Sequence, residues 1–485
     1  MSSVADNTSG VPQKRQHYGV TFAVLALAGA AYAMLQSTVA PALPVIQEEL
    51  HASATAVAWV FTGYLLSASI LTPIVGRLGD MFGKERTLII SLAVLSVGVL
   101  MAALAQSITM LIIARIVQGS GGAIFPLAFG IIRDEFPREK AAQGIALISA
   151  ILGIGGGLGI VLAGPIISAL NYHWLFWFPL VVTVAATVAT IFFVPESPLK
   201  SPGKVDWIGA ALLSTWLVLL LLGITQTSAW GWGDPRVWGL IVAAAVVLVI
   251  WVRFSERVRE PLIDMVMMRV RGVWTVNAAA FLVGAGMYTS FILIPEFTET
   301  PASTGYGYGS SVTEAGLFLL PTTLAMLIVS PIAGWLANRI GARLNLIAGC
   351  AITTVSFTMM GLAHSHHFDL YVATALMGTG IALAFSALAI LIVEAVPPEQ
   401  TGVATGMNTV MRTLGGAVGG QVGASLIAGT VVAAGIGAGS PSETGFTEAF
   451  LFAGGACLLA ALASLLVPRR PRPEYSPGLA LPVTD

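Results

Sequence analysis

The chain has 485 residues, of which 56% are hydrophobic and only 10% charged, and its mean hydropathy is +0.86. A soluble domain carries about 25% charged residues, so a soluble globular fold is excluded. The net charge of −1 offers no basic surface for nucleic acid, and the two cysteines, Cys350 and Cys457, supply neither a disulfide framework nor a metal-binding spacing.

Apolar runs long enough to cross a bilayer as helices recur along the whole length. Residues 1–17 are polar and lead straight into a full-length span, which predicts a cytoplasmic tail and no cleaved signal peptide. Fourteen spans are predicted, at about 18–40, 56–75, 87–106, 109–131, 141–169, 175–194, 207–226, 236–253, 273–296, 313–333, 344–363, 369–393, 402–432 and 447–467. An even count puts both termini on one side. Of the 23 Lys and Arg, only Arg236 falls on the other side, and only Arg115 and Arg412 lie inside spans. The positive-inside rule makes the basic side cytoplasmic. The expectation is an all-α, multi-pass protein of the cell (plasma or inner) membrane, monomeric, with both termini cytoplasmic.

Span 1 closes on Gln36-Ser37-Thr38 ahead of Pro41 and Pro44, a broken helix end of the kind that faces a cavity. Between spans 2 and 3, Gly76–Arg86 is a short loop dense in Gly and charge. Gly334–Arg343, after span 10, echoes it. A duplicated loop points to two related halves with a substrate site between them. The predicted organisation is a six-helix bundle over 18–194, a linker with two inserted spans over 195–272, a second six-helix bundle over 273–467, and a disordered cytoplasmic tail over 468–485. Residues 254–272 read as an amphipathic or irregular surface segment.

Four features inside spans carry candidate chemistry. Arg115 in span 4 is costly to bury. It is either a cavity-facing cation or a structural arginine bonded to backbone carbonyls. Arg412 in span 13 sits near Asn408 in a glycine-rich helix, with snorkelling to the cytoplasmic end as the alternative. The glycines of span 5 allow close packing and a helix that flexes. In span 9, Asn277, Phe281, Gly284 and Tyr288 share one stripe, either cavity lining or ordinary packing. Glu296 at the outer end of that span is either a proton acceptor or a solvated acid. His364, His366 and His367 read as solvated loop residues rather than metal ligands.

Several motifs in register resemble the major facilitator superfamily, and within it the fourteen-span drug/proton antiporter branch, over about 18–467. The loop signature is matched at Gly76, Leu78, Asp80, Gly83, Lys84 and Arg86, and the fourth-span signature at Arg115, Gln118 and Gly119. The antiporter signature is matched at Gly155, Gly159 and Gly164, with Ile160 where Pro is usual and Ala163 where Gly is usual. Trp59 and Tyr64, Asp206-Trp207, and Asn408 with Arg412 are further similarities. The resemblance implies a proton-coupled exporter of hydrophobic or cationic organic compounds such as drugs. It would work by alternating access and use the proton gradient with no cofactor. Asp80 would latch the cytoplasmic face between the halves, with Arg77, Arg86 and Asp134 in its network, and Arg115 would tune a nearby acid. Trp59, Phe125, Phe281 and Tyr288 would make an apolar, aromatic cavity. Gln36 replaces the acid usual in the first span, and an amide carries no proton, so Glu296 is the expected carrier. The rival readings are a dedicated exporter of one endogenous metabolite, lipid or antibiotic, and a non-transporting receptor or scaffold. A scaffold has no use for Arg115 or the duplicated loop.

Overall fold

The computed structural model describes residues 18–39, 42–52, 54–197, 200, 204–364, 366–430 and 441–469. Residues 1–17 and all but the first two residues of the predicted C-terminal tail lie outside the described residues. Among the described residues fourteen long helices follow one another: α1 (Tyr18–Ser37), α2 (Ala54–Phe82), α3 (Lys84–Ala103), α4 (Ile108–Glu135), α5 (Arg138–Ala169), α6 (Trp174–Phe193), α7 (Trp207–Thr225), α8 (Pro235–Ser255), α9 (Arg271–Glu299), α10 (Leu320–Ile340), α11 (Ala342–Leu362), α12 (His367–Glu394), α13 (Thr401–Ala428) and α14 (Glu443–Ser464). Each overlaps a predicted span. Among the described residues, thirteen helices are long and apolar enough to cross a membrane. The long helix outside that set is α13, whose many glycines and threonines, with Asn408 and Arg412, dilute its hydropathy. Most of α13 is nevertheless buried among the other helices.

The helix ends are written locally. Asp206 caps α7 by accepting from the Gly209 amide at 2.8 Å, and Asp234 caps α8 by accepting from Arg236 N at 2.8 Å. The expected loops Gly76–Arg86 and Gly334–Arg343 are instead helix up to a single glycine: α2 runs to Phe82 and α10 to Ile340, and Gly83 and Gly341 follow them with φ of 117° and 91°. That region is cheap only for glycine, and it lets the chain reverse directly into α3 and α11. Between α8 and α9, where an irregular surface segment is predicted, the chain forms one short helix, Met265–Arg269, capped by Asp264.

Helices α1–α6 pack into one group, with α5 against α1 and α3 against α4 and α6. Helices α9–α14 pack into another, with α13 against α9 and α11 against α12 and α14. Two seams join the groups: α2 lies along α13, and α5 lies along α10 and α12. α7 packs on α8 and touches both α2 and α13. Beyond α7, Trp232 donates to Ser425 Oγ of α13 at 2.8 Å. Only 17% of the span window of α8 is buried, against 89% for α12, so α8 lies on the lipid side and α12 in the interior.

Inside hydrocarbon, helices gain nothing by hiding apolar surface from lipid, so close backbone approach decides their packing. Glycines provide it. A Cβ on Gly415 would overlap the Phe281 carbonyl, and one on Gly284 or Gly419 would overlap the backbone at Arg412 or Ala285. The span 9 stripe is therefore largely a packing face, with Phe281 set against Gly415. Replacing Gly415 with Ala is expected to cost about 1–3 kcal/mol by overpacking and to lower the melting temperature measured by intrinsic fluorescence in detergent. Gly239→Ala, where a Cβ meets nothing within 4 Å, should leave it unchanged.

Candidate functional site: an interhelical clamp and the pocket behind it

Asp80 lies one turn before Gly83 and is 1% exposed. Its carboxylate accepts hydrogen bonds from the amides of Gly402 and Val403, each at 3.0 Å. Those amides belong to the first turn of α13, where backbone donors have no partner within the helix. The partial positive charge of a helix N-terminus favours a carboxylate there. A residue of the first group thus caps a helix of the second. The backbones meet closely, since a Cβ on Gly76 or on Gly402 would lie 2.5 Å from the other's carbonyl oxygen. Arg133 of α4 adds two more bonds across the seam, from Nη1 to Thr401 Oγ1 at 2.7 Å and from Nη2 to the Val396 carbonyl at 2.9 Å.

The remaining charges divide differently from the single network expected around Asp80. Lys84 pairs with Asp134 at 2.5 Å, both side chains buried, and Ser197 donates to the same carboxylate. Arg86 pairs with Glu196 at 3.5 Å on the exposed side. Arg77 lies three residues before Asp80 on α2. Neither Arg86 nor Asp134 is bonded to Asp80, because each has a nearer partner within the first group. In the echoed loop Asn338 takes the place of Asp80. Its Nδ2 donates to the Glu139 carbonyl at the start of α5, at 3.3 Å.

Arg115 is wholly buried. Its Nε donates to the Val60 carbonyl at 3.2 Å, and its Nη1 to the Leu35 carbonyl at 3.1 Å and to Gln118 Oε1 at 2.7 Å. The guanidinium also stands 4.1 Å above the Tyr64 ring centroid, and Gln118 passes the chain of bonds on to the Gly98 carbonyl at 3.0 Å. Among the described residues no carboxylate pairs with Arg115. The bonds tie α1, α2, α3 and α4 together, which is the structural alternative for this residue.

A pocket lies between the groups. Tyr32, Gln36 and Phe125 line it from the first group, and Tyr288, Arg412 and Thr413 from the second. The cavity is about 20 Å³, room for roughly one water. Gln36 Nε2 donates to the Tyr288 hydroxyl across it at 3.3 Å. Of the other expected cavity residues, Tyr64 and Gln118 belong to the Arg115 cluster. Asn408 donates to Asn277 at 3.0 Å within the α9–α13 contact. Trp59 borders a shallow apolar groove with Ile70 and Ile116. Sequence reading missed Tyr32, Ser69, Thr72, Thr409 and Thr413, which also line the pocket. The signal was present as polar residues three and four apart on spans 2 and 13.

Gly155 and Gly159 of α5 face Ala33 and Ser37 of α1, while Gly153 and Gly157 face Met326 and Thr323 of α10, and Gly164 faces Thr313. α5 is therefore a thin helix between the two groups. Glu296 is exposed, near the opposite end of α9 from the clamp, and does not line the pocket. At that end His364 is buried rather than solvated. Its Nδ1 lies 2.8 Å from the Met360 carbonyl, its Nε2 lies 3.0 Å from Glu443, and its ring meets Phe297 edge-on. The Tyr308 hydroxyl donates to the His364 and His366 carbonyls, and burial holds this phenol up at about 12, so it stays a donor. No group of three or more His, Cys, Asp or Glu among the described residues is placed to hold a metal.

Membrane-length helices in two groups, clamped by buried polar contacts at one end and sharing a pocket, are the build of a solute carrier. The chain belongs to the Major Facilitator Superfamily, whose family model matches residues 25–420. It is 30% identical over 375 residues to the tetracenomycin C resistance and export protein of Streptomyces glaucescens, covering 76% of this chain and 69% of that protein. Over 288 residues it is 30% identical to multidrug resistance protein 3 of Bacillus subtilis (strain 168), covering 59% of this chain and 55% of that one. In fold it is similar to the human organic anion transporter MFSD10 (TETRAN), with a TM-score of 0.65 at 17% identity, over 92% of this chain and 99% of that one. The chain is a multi-pass membrane transporter and not an enzyme.

Asp80→Ala leaves two buried amides unpaired, at about 1–3 kcal/mol each. Hydrogen exchange at residues 402–405 is expected to quicken in Asp80→Ala and less so in Asp80→Asn, which keeps one acceptor oxygen. Unchanged exchange would remove the clamp. Arg115→Ala is expected to lower the melting temperature along with activity, and loss of activity at full thermal stability would give Arg115 a direct part in transport.

Proposed function

We propose that the chain is a proton-coupled exporter of organic compounds that works by alternating access. In this reading α1–α6 and α9–α14 are pseudo-symmetric halves that rock about the central pocket, and α7–α8 are an inserted pair. The observation that carries the reading is the clamp, in which a buried carboxylate of one group holds a helix N-terminus of the other at one end of a pocket lined by both. Such a contact is suited to switching. When the groups part, water takes over the bonds of both the carboxylate and the amides, so each bond is worth only about 1.5–3 kcal/mol net. A bound solute can bias an equilibrium of that size. The Asn338–Glu139 contact occupies the matching place at the other seam, with the bond reversed so that the side chain donates to a backbone carbonyl, and a matching place is what related halves would give.

The concentration of Lys and Arg on the clamp side supports a cytoplasmic clamp, with both termini on the same face. The clamp then stabilises the outward-facing form. The relatives named for antibiotic and multidrug resistance support export of drug-like molecules, and the Streptomyces relative favours the narrower reading of one dedicated antibiotic substrate. Proton coupling needs a titrating group other than Gln36. Glu296 fills that role at the outer end of α9, and Arg115, with no carboxylate partner among the described residues, belongs to the scaffold.

Proteoliposomes with a trapped pH dye, offered a panel of cationic, neutral and anionic aromatics, test the reading. Substrate-driven proton movement is expected in the wild type. It should be lost in Glu296→Gln while substrate exchange continues. Proton movement that survives in Glu296→Gln assigns the carrier elsewhere, and a protein that moves none of the panel is not such an exporter.

A further inference from the structure

Two arginines lie deep in this membrane protein, and the structure treats them differently. Arg115 has three hydrogen bonds and an aromatic face, while only its Nη2 is left over. Arg412 is 9% exposed, and its guanidinium stands 4.6 Å above the Phe385 ring centroid. Its Nε is buried with no partner. No ion pair among the described residues includes it. It is the twelfth residue of α13, about 17 Å along the axis from the start of the helix. That depth is beyond the reach of a snorkelling side chain. A cation held in a low-dielectric interior without an anion is strongly disfavoured.

Arg412 faces the central pocket. The other polar groups there are Gln36, the phenols of Tyr32 and Tyr288, and the hydroxyls of Ser69, Thr72, Thr409 and Thr413, beside the apolar faces of Phe125 and Leu152. Among the described residues no Asp or Glu lines it. A cationic solute would find a like charge and no counter-ion. A solute with a carboxylate on an aromatic or aliphatic body would find a guanidinium fork, hydroxyl donors and an apolar wall.

We propose that Arg412 is the charge-recognition residue of the central pocket and that the preferred solutes are organic anions, aromatic carboxylates above all. This rests on the reading of the chain as a carrier working through this pocket, and it reverses the preference for cations implied by the family resemblance. The solute enters only after the groups move apart, since the cavity of about 20 Å³ holds no more than roughly a water. The Gln36–Tyr288 bond opens in that step.

The test is binding of matched ligands to the purified full chain in detergent by calorimetry: 1-naphthylacetate, 1-naphthaleneethanol and 1-naphthylethylammonium, each with sodium chloride and with sodium gluconate. The carboxylate is expected to bind at least about tenfold more tightly than the alcohol, as one charged hydrogen bond gives, with the ammonium weakest. Arg412→Gln should bring the carboxylate down to the alcohol's affinity and leave the alcohol unchanged. Arg412→Lys, which keeps the charge, should retain part of the preference and serves as the folding control. Equal or tighter binding of the ammonium, or a carboxylate preference that survives in Arg412→Gln, overturns the proposal. So does a site that chloride alone saturates so that the carboxylate gains nothing. Export of the ammonium alone by proteoliposomes would overturn it while leaving the exporter reading intact. Arg412-dependent carboxylate binding without movement of any ligand across the membrane would instead overturn the exporter reading and leave the binding site standing.

Discussion

A charge in a low-dielectric interior must have a partner, and that constraint organises this structure. Asp80 is satisfied by the helix amides of Gly402 and Val403, Lys84 by Asp134, and Arg115 by the carbonyls of Leu35 and Val60. Each solution ties together elements that hydrophobic burial alone would not align, because lipid is as apolar as the helix faces. The Asp80 contact matters most, since it is the buried carboxylate that reaches from one helix group into the other. Its partners are backbone amides rather than a basic side chain. Its strength is therefore that of a few hydrogen bonds.

The second ordering principle is the distribution of small residues. α13 is glycine-rich on the faces that meet α9 and, through Gly402 and Gly406, α2. α5 presents glycines to α1 on one side and α10 on the other. These two helices belong to the seams between the groups. Helices with little side-chain interlock can shift against their neighbours without undoing a packed core.

Arg412 stands apart from both patterns. It is buried like Arg115 but without the ring of acceptors, and it lines the pocket that the two groups share. The protein supplies a partner for Asp80, Lys84 and Arg115 and leaves its unmet electrostatic demand in the pocket between the two groups.

The multi-pass helical build and the points of reversal at Gly83 and Gly341 were legible in the sequence, because hydrocarbon thickness sets a minimum span length and glycine marks a sharp reversal; the helix limits were not, since Gly76–Phe82 continues α2 where a loop was expected. A contact from Asp80 across the two helix groups was legible too, through the resemblance. The partners were not. Whether Arg86 and Asp134 join Asp80 or pair with Glu196 and Lys84 depends on distances of a few ångströms set by helix packing. The same holds for the stripe of span 9, where Tyr288 reaches the pocket while Phe281 packs against Gly415, and for His364, which a loop composition reads as solvated and which lies buried against Phe297. The sequence by itself determined a membrane-spanning helical carrier with charge at its loops and at two interior positions. Only the tertiary structure decided which interior arginine is satisfied and which is open, because hydrogen-bond partners come from other helices and no local pattern records them.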